Sequence, residues 1–401
     1  MSADPSSSAP EARRLPLPEF IALLAMLFAT IAFSIDAMLP ALPVIAETLS
    51  PEAINRAQLV VTSFMAGMGL GTVFSGPISD AIGRKRAISY GFLLYMAAAL
   101  AAVFAQSLTL LLAARFVQGL GAAGPRIAGQ AMVRDLYNGR EMARISSFVM
   151  MVFMLVPALA PSVGAILISL AGWRAVFVAF IAFAAVGMAW MALRQPETLP
   201  AARRRPFRPA TLWSGAREVL GNRQVVIITA VLSLGFGQMM ALLSTAQQLF
   251  ASYGQGDRFP LWFALMALLS ASGTVLNARL VMRLGMRRMA RTAYVGQVVL
   301  AAVMLALMAI GPLPFALFFL WAVSIFAMAG ITFGNLNALA LQKMGHIAGM
   351  TASVMAAVST LAAVAIAAPV GLAFTGTAMP VVLAALVCSA LAALLMRQVE
   401  D

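Results

Sequence analysis

Three charges interrupt otherwise apolar runs of this 401-residue sequence: Asp36, Arg115 and Arg126. A charged side chain in hydrocarbon costs about 2.5 kcal/mol or more, so its placement there points to function before it points to packing. Asp36 is the one carboxylate well inside an apolar run; the other acids fall at run ends, in loops or in tails. A lone titratable acid of this kind is suited to carrying a proton. At 1.5 Å per helical residue, Asp36 lies about 25 Å in from the inner end of its run and Arg115 about 10 Å in from the outer end of its own. Both therefore fall in the outer half of a membrane, which leaves an Asp36–Arg115 interaction, direct or through water, open. Arg126 lies about 16 Å below Arg115 on the same helix. It is expected to meet an anionic substrate group or Asp135 in an inner cavity, or to snorkel to the membrane edge.

The elements that must hold these charges are membrane helices. The chain is 62% hydrophobic and 10% charged, with a mean hydropathy of +0.94, well beyond the roughly 45–50% apolar content of soluble domains. Runs of about 20 apolar residues, each long enough to span about 30 Å of hydrocarbon, recur from end to end. Twelve are expected, over roughly 19–43, 57–80, 87–105, 108–133, 145–171, 174–193, 224–251, 260–281, 290–310, 314–341, 350–375 and 378–397. This predicts an all-α membrane protein, with residues 1–18 a disordered cytoplasmic tail. Residues 19–193 and 224–401 would each form a six-helix half, and 194–223 a basic, proline-bearing linker. Trp173, Trp213 and Trp262 near run ends suit interfacial anchoring.

The formal net charge of +13 is explained by placement rather than by a nucleic-acid partner. Arg84, Lys85 and Arg86, then Arg134, Arg140 and Arg144, then the linker arginines, then Arg283, Arg287, Arg288 and Arg291 occupy alternate loops, while the opposite loops hold Arg56, Arg174 and Arg258. This is the positive-inside pattern, and it places both termini in the cytoplasm. One cysteine, Cys388, and one histidine, His346, leave no internal disulfide and no thiolate or imidazole cluster for a metal. No phosphate-binding loop of the Gly-x4-Gly-Lys-Ser/Thr kind is present. Gly119, Gly121 and Gly124 match a dinucleotide fingerprint in spacing, but they lie inside an apolar run with no preceding strand, where small residues serve close helix packing.

An internal repeat supports the division into halves. The stretch Gly76-Pro77-Ile78-Ser79-Asp80-Ala81-Ile82-Gly83-Arg84-Lys85-Arg86 is echoed by Ala278 to Arg288, with Gly83 matched by Gly285 and Asp80 by Met282. The first copy resembles the loop signature of the major facilitator superfamily, and Arg115 followed by Gln118-Gly119 resembles its fourth-helix motif. The resemblance implies the fold of two pseudo-symmetric six-helix halves, a cytoplasmic gating latch at Gly76, Asp80, Gly83, Arg84, Lys85 and Arg86, and a central cavity lined by the first and fourth helices. Pro157, Pro161 and Gly164 look like the fifth-helix motif of the superfamily's exporters, without its Gly-Pro pair.

Three stretches together are similar to the Bcr/CflA-type drug efflux carriers: Asp36 to Pro43, Arg134-Asp135-Leu136-Tyr137 with Gly139-Arg140-Glu141, and Leu159-Ala160-Pro161 leading to Gly172-Trp173-Arg174-Ala175-Val176-Phe177. The likeness extends to Asn277-Ala278-Arg279-Leu280 and Gly345-His346-Ile347-Ala348-Gly349. It implies proton-driven export of drugs or small metabolites across a bacterial inner membrane, with no cofactor, by a monomer whose partners are substrate, protons and lipid. Asp36 and Arg115 would couple the proton. Phe33, Arg126, Phe236, Gln238, Phe326, Asn335 and Asn337 are candidates for the substrate cavity, although each polar one has a packing reading beside it. An importer or facilitator on the same fold is the alternative. A channel would need a polar ring and an intramembrane enzyme a clustered acid–base or metal site, and the sequence offers neither.

Overall fold

The computed structural model describes residues 15–137 and 139–400, so the expected tail lies almost wholly outside the described residues. Fourteen helices account for the fold: α1 Leu17–Asp36, α2 Leu42–Leu49, α3 Leu59–Ile82, α4 Arg84–Val103, α5 Leu108–Leu136, α6 Gly139–Ala171, α7 Arg174–Arg194, α8 Pro209–Gly221, α9 Arg223–Ser252, α10 Phe259–Leu284, α11 Met286–Ile310, α12 Phe315–Lys343, α13 Ala348–Leu372 and α14 Met379–Leu395. Among the described residues there is no strand.

Ten of these segments are long and apolar enough to cross a membrane, against the twelve expected. For one of the two missing runs the cause is length. The run at 378–397 is helical over the 17 residues of α14, about 26 Å and short of a 30 Å core. The run at 145–171 lies in α6, whose apolar stretch is Leu155–Ala171; the side chains of 150–154 are outside the described residues. The first span also differs from expectation. It continues to Leu49, and it is broken after Asp36 by a turn and the 3₁₀ segment Leu39–Ala41.

Backbone chemistry explains that break. Pro40, four residues beyond Asp36, has no N–H to give the Asp36 carbonyl, and its ring crowds that carbonyl. Pro43 then sits in the first turn of α2, where a missing N–H costs nothing. Two glycines make the sharp turns between α3 and α4 and between α10 and α11. Gly83 has φ 101°, ψ 156° and Gly285 has φ 79°, ψ 152°, a region that residues with a Cβ avoid. The two copies of the repeat thus share one backbone conformation at this turn.

Helix α5 packs on α3 and α4, α1 on α6 and α7, α9 on α12, α13 and α14, and α11 on α12 and α14. The two groups of helices meet along α3–α13 and α6–α10. Close approach depends on small residues. A Cβ on Gly119 would overlap the Phe64 carbonyl, and one on Gly67 the Phe116 carbonyl. Helix α8, which falls in the expected linker, packs on α9 and α13 and places Val219 in a core with Val225, Met344 and Met355.

The break after Asp36 is itself packed. The Gly164 backbone of α6 lies so close to Ala37 that a Cβ there would overlap the Ala37 carbonyl, whereas a Cβ on Gly334 would meet nothing within 4 Å. Gly164→Ala should therefore cost about 1–3 kcal/mol by overpacking, and Gly334→Ala should be neutral or stabilising by up to about 1 kcal/mol. Thermal unfolding of the two purified variants checks this; equal midpoints would refute the close approach.

Candidate functional site

Asp36 is the last residue of α1 and is 5% exposed. Arg115, on α5, is fully buried and reaches the same level of the bundle. Its Nη2 donates to the Ser34 carbonyl at 2.9 Å, its Nε to the Val60 carbonyl at 3.2 Å and its Nη1 to Gln118 Oε1 at 2.7 Å. Its guanidinium lies 4.4 Å from the centre of the Phe64 ring. The Ser34 hydroxyl donates to the Thr30 carbonyl and lies 2.5 Å from the Tyr95 hydroxyl.

In this arrangement Asp36 and Arg115 make no direct contact, the first of the two forms of interaction left open by their depth. Among the described residues neither side chain forms an ion pair. The physical reason is the break itself. Ending a helix frees its last carbonyls; Phe33 O is taken by the Ala37 N–H, and Ser34 O is taken by Arg115. A cation at the negative end of α1 is electrostatically favoured. Arg115 therefore holds the turn that presents Asp36, two residues from its contact point, while the Asp36 carboxylate is left without a cation. Such a group can take a proton or meet a positively charged or hydrogen-bonding ligand. Ser34 and Tyr95 were not singled out from the sequence; a serine and a tyrosine in mid-run were the available signal.

The signature loop forms a dense polar network at the other end of the helices. Arg84 is 7% exposed. Its Nη1 contacts Asp80 Oδ1 at 2.5 Å and Ser79 Oγ at 2.9 Å, and its Nε contacts Asp135 Oδ2 at 2.9 Å. Thr198 Oγ1 donates to the same Asp135 oxygen at 3.0 Å. Glu197 caps α4, accepting the N–H groups of Arg84 at 2.9 Å and Lys85 at 3.2 Å. Lys85 Nζ donates to the Ala192 carbonyl at 2.6 Å, the Arg205 N–H donates to the Asp80 carbonyl at 3.0 Å, and Arg86 is exposed. The loop is thus held by its own half and by residues 197–205, while a Cβ on Gly76 would meet Ser353 Oγ of α13 at 4.0 Å. Glu197 was missed because its role is set by where the linker folds back, which no local pattern records.

The cavity candidates separate. Phe33 packs edge-on to Phe180 at 5.3 Å and beside Phe183 at 5.4 Å, so it faces α7. Arg126 does not reach Asp135, which Arg84 occupies; its Nη1 lies 4.0 Å from Met68 Sδ. Gln238 is fully buried, accepts from Ser389 Oγ at 2.9 Å and donates to Met328 Sδ at 3.9 Å, which makes it a packing residue between α9, α12 and α14. Asn335 Nδ2 donates to Asn277 Oδ1 at 2.7 Å, and Asn337 Nδ2 to the Phe333 carbonyl at 2.9 Å. Phe236 stacks edge-on to Phe333 at 5.9 Å, and Phe326 lies 6.5 Å from Phe263. Pro157 and Pro161 lie inside α6 on the way to Gly164. No group of three or more metal-ligating side chains gathers among the described residues.

Hydrogen bonds between the two groups of helices cluster at the end opposite the signature loop. Asn55 Nδ2 donates to the carbonyls of Leu372 at 3.1 Å and Phe374 at 2.8 Å, and Gln58 Nε2 donates to Gln248 Oε1.

The family described as the Major Facilitator Superfamily matches residues 22–368. The transporter YdgK of Bacillus subtilis is 28% identical over 349 residues, covering 85% of each chain. The bicyclomycin resistance protein homolog of Haemophilus influenzae is 28% identical over 343 residues, covering 84% of each. A solved D-xylose–proton symporter superposes with a TM-score of 0.77 over 96% of this chain and 98% of its own, at 15% identity, which speaks for the fold alone.

Glu197→Ala removes the anionic cap of α4 and one anchor of the linker. An N-terminal cap contributes about 0.5–2 kcal/mol, so opening of residues 197–205 should become roughly 2- to 30-fold more frequent. Trypsin cleavage at Arg203–Arg205 should quicken by that factor while Arg217, in α8, is cut as in wild type. Unchanged cleavage would mean that Glu197 does not hold the segment.

Proposed function

We propose that this chain, which belongs to the Major Facilitator Superfamily, exports drugs or small organic metabolites across the bacterial inner membrane in exchange for protons. The protein is a transporter and not an enzyme, and its relatives include one named for resistance to bicyclomycin. The observation that carries the proton-coupled reading is Asp36: a buried carboxylate at a helix break, held in place by Arg115 yet paired with no cation among the described residues. In this reading α6 and α14 complete twelve spans in two six-helix halves, 19–193 and 224–401, with both termini cytoplasmic and the monomer as the working unit. No cofactor is needed, because each proton entering down the membrane potential supplies about 2.3 kcal/mol per 100 mV.

Alternating access then has a stated starting point. The bonds of Asn55 and Gln58 to the second group of helices close the outer end. In the alternating-access reading, the state with these bonds formed is the one that receives a substrate from the cytoplasm. Protonation of Asp36 from outside requires the outer end to open, so proton and substrate use the site in turn.

Asp36→Asn should reach the membrane and fold but lose uphill transport. Everted vesicles with a pH-sensitive dye read this directly: wild type should release internal protons when substrate is added, and the variant should not. Proton movement of the opposite sign would make the protein an importer, and wild-type exchange by Asp36→Asn would remove the coupling role.

Asn55→Ala with Gln58→Ala deletes the outer bonds, at about 0.5–1.5 kcal/mol each. Spin labels at Ile54→Cys and Thr377→Cys in a Cys388→Ser background should then show a larger long-distance population by double electron–electron resonance. An unaltered distribution would mean that these bonds do not close the outer end.

A further inference from the structure

The two copies of the repeat treat negative charge differently, and this difference points to a second binding site. In the first copy the buried arginine is answered by carboxylates. Asp80 and Asp135 hold Arg84, and the Glu197 carboxylate caps α4. In the second copy Met282 stands where the first has Asp80, and it is 90% exposed. Helix α11 begins after Gly285 with the same backbone turn as α4. A cleft of about 630 Å³ at this turn is lined by Gly285, Arg287, Arg288 and Arg291 together with Leu284 and Val295, and Arg287 also donates to the Arg397 carbonyl at 3.2 Å. Among the described residues no carboxylate lies within ion-pair distance of Arg288 or Arg291.

We infer that this cleft binds the headgroup phosphate of an anionic phospholipid from the surrounding leaflet. Three observations select that ligand. At the corresponding turn of the first half the Glu197 carboxylate sits on the start of α4, so a turn and helix start of this kind accept an anion. The arginines supply further donors suited to phosphate oxygens. Val295 of α11 is 46% and Leu284, the last residue of α10, 40% exposed, so the basic mouth has an exposed apolar side. A free phosphate would leave that side unused, whereas an acyl chain covers it. The site is remote from Asp36 and does not depend on what is transported.

The test uses the full-length protein in nanodiscs of phosphatidylcholine with one tenth phosphatidylglycerol, released into native mass spectrometry to count the lipid retained. Wild type should retain phosphatidylglycerol in preference to phosphatidylcholine. Arg288→Gln with Arg291→Gln should weaken retention by roughly 30-fold, from about 1 kcal/mol per basic residue near an anionic surface. Met282→Asp, which restores the acid of the first copy, should weaken it in the same direction. The linker pair Arg203→Gln with Arg208→Gln, which removes the same charge elsewhere, should retain lipid as wild type does. Wild-type retention by either cleft variant overturns the proposal, as does equal loss in the linker pair. Displacement of the lipid by 10 mM inorganic phosphate would also overturn it, by showing a site for a free anion.

Discussion

A helix cannot end inside hydrocarbon unless something answers its freed carbonyls, and the first membrane helix ends there. Pro40 forces the break, and Asp36 is the last helical residue before it. The guanidinium of Arg115 reaches across from α5 to the Ser34 carbonyl and, in the same fan, to Val60 and Gln118. Planarity matters in this position, because three acceptors on two helices and one side chain are met at once. The Gly164 backbone closes on the turn from the other side. Proline, arginine and glycine come from three distant parts of the chain, and each would be out of place in a membrane helix considered alone. Together they allow a carboxylate to sit at the membrane interior with its surroundings fixed.

Much of this was legible from residue type. The unusual charges, the family motifs and the helical runs are properties of composition and spacing, and they led to Asp36, Arg115 and the loop around Gly83. The pairing of Asp36 with Arg115 was not legible. Depth along two helices gives a common level, but side-chain direction follows from packing, and packing sent Arg115 to a main-chain carbonyl. The two prolines at 40 and 43 were the signal for the break, and they matter more for Asp36 than its depth does. The neutral candidates show the opposite limit. Gln238 and Asn335 looked like cavity residues because amides in hydrocarbon need partners, and both find them in neighbouring helices. Asn55 and Gln58 drew no notice because polar residues at a span end are ordinary until their partner, 190 or more positions away, is known.

The halves share a turn and differ in electrostatics. Gly83 and Gly285 bend the chain in the same way, yet carboxylates surround the first copy and arginines the second. The same turn is thus built once beside a carboxylate-held arginine and once with Met282 in place of the acid.

The attachment of residues 197–205 has a mechanical consequence. Arg205 is bonded to Asp80 in the first group of helices, and α8, starting at Pro209, packs on α9 and α13 in the second. The leash between the two groups is thus far shorter than the nominal linker. Four virtual bonds from Arg205 to Pro209 reach at most about 14 Å when fully extended. At this end of the molecule the two groups can part by no more than that leash allows. A wider excursion would first have to peel Arg205 from the end of α3 or α8 from its bed, so any separation of the two groups here meets a covalent stop.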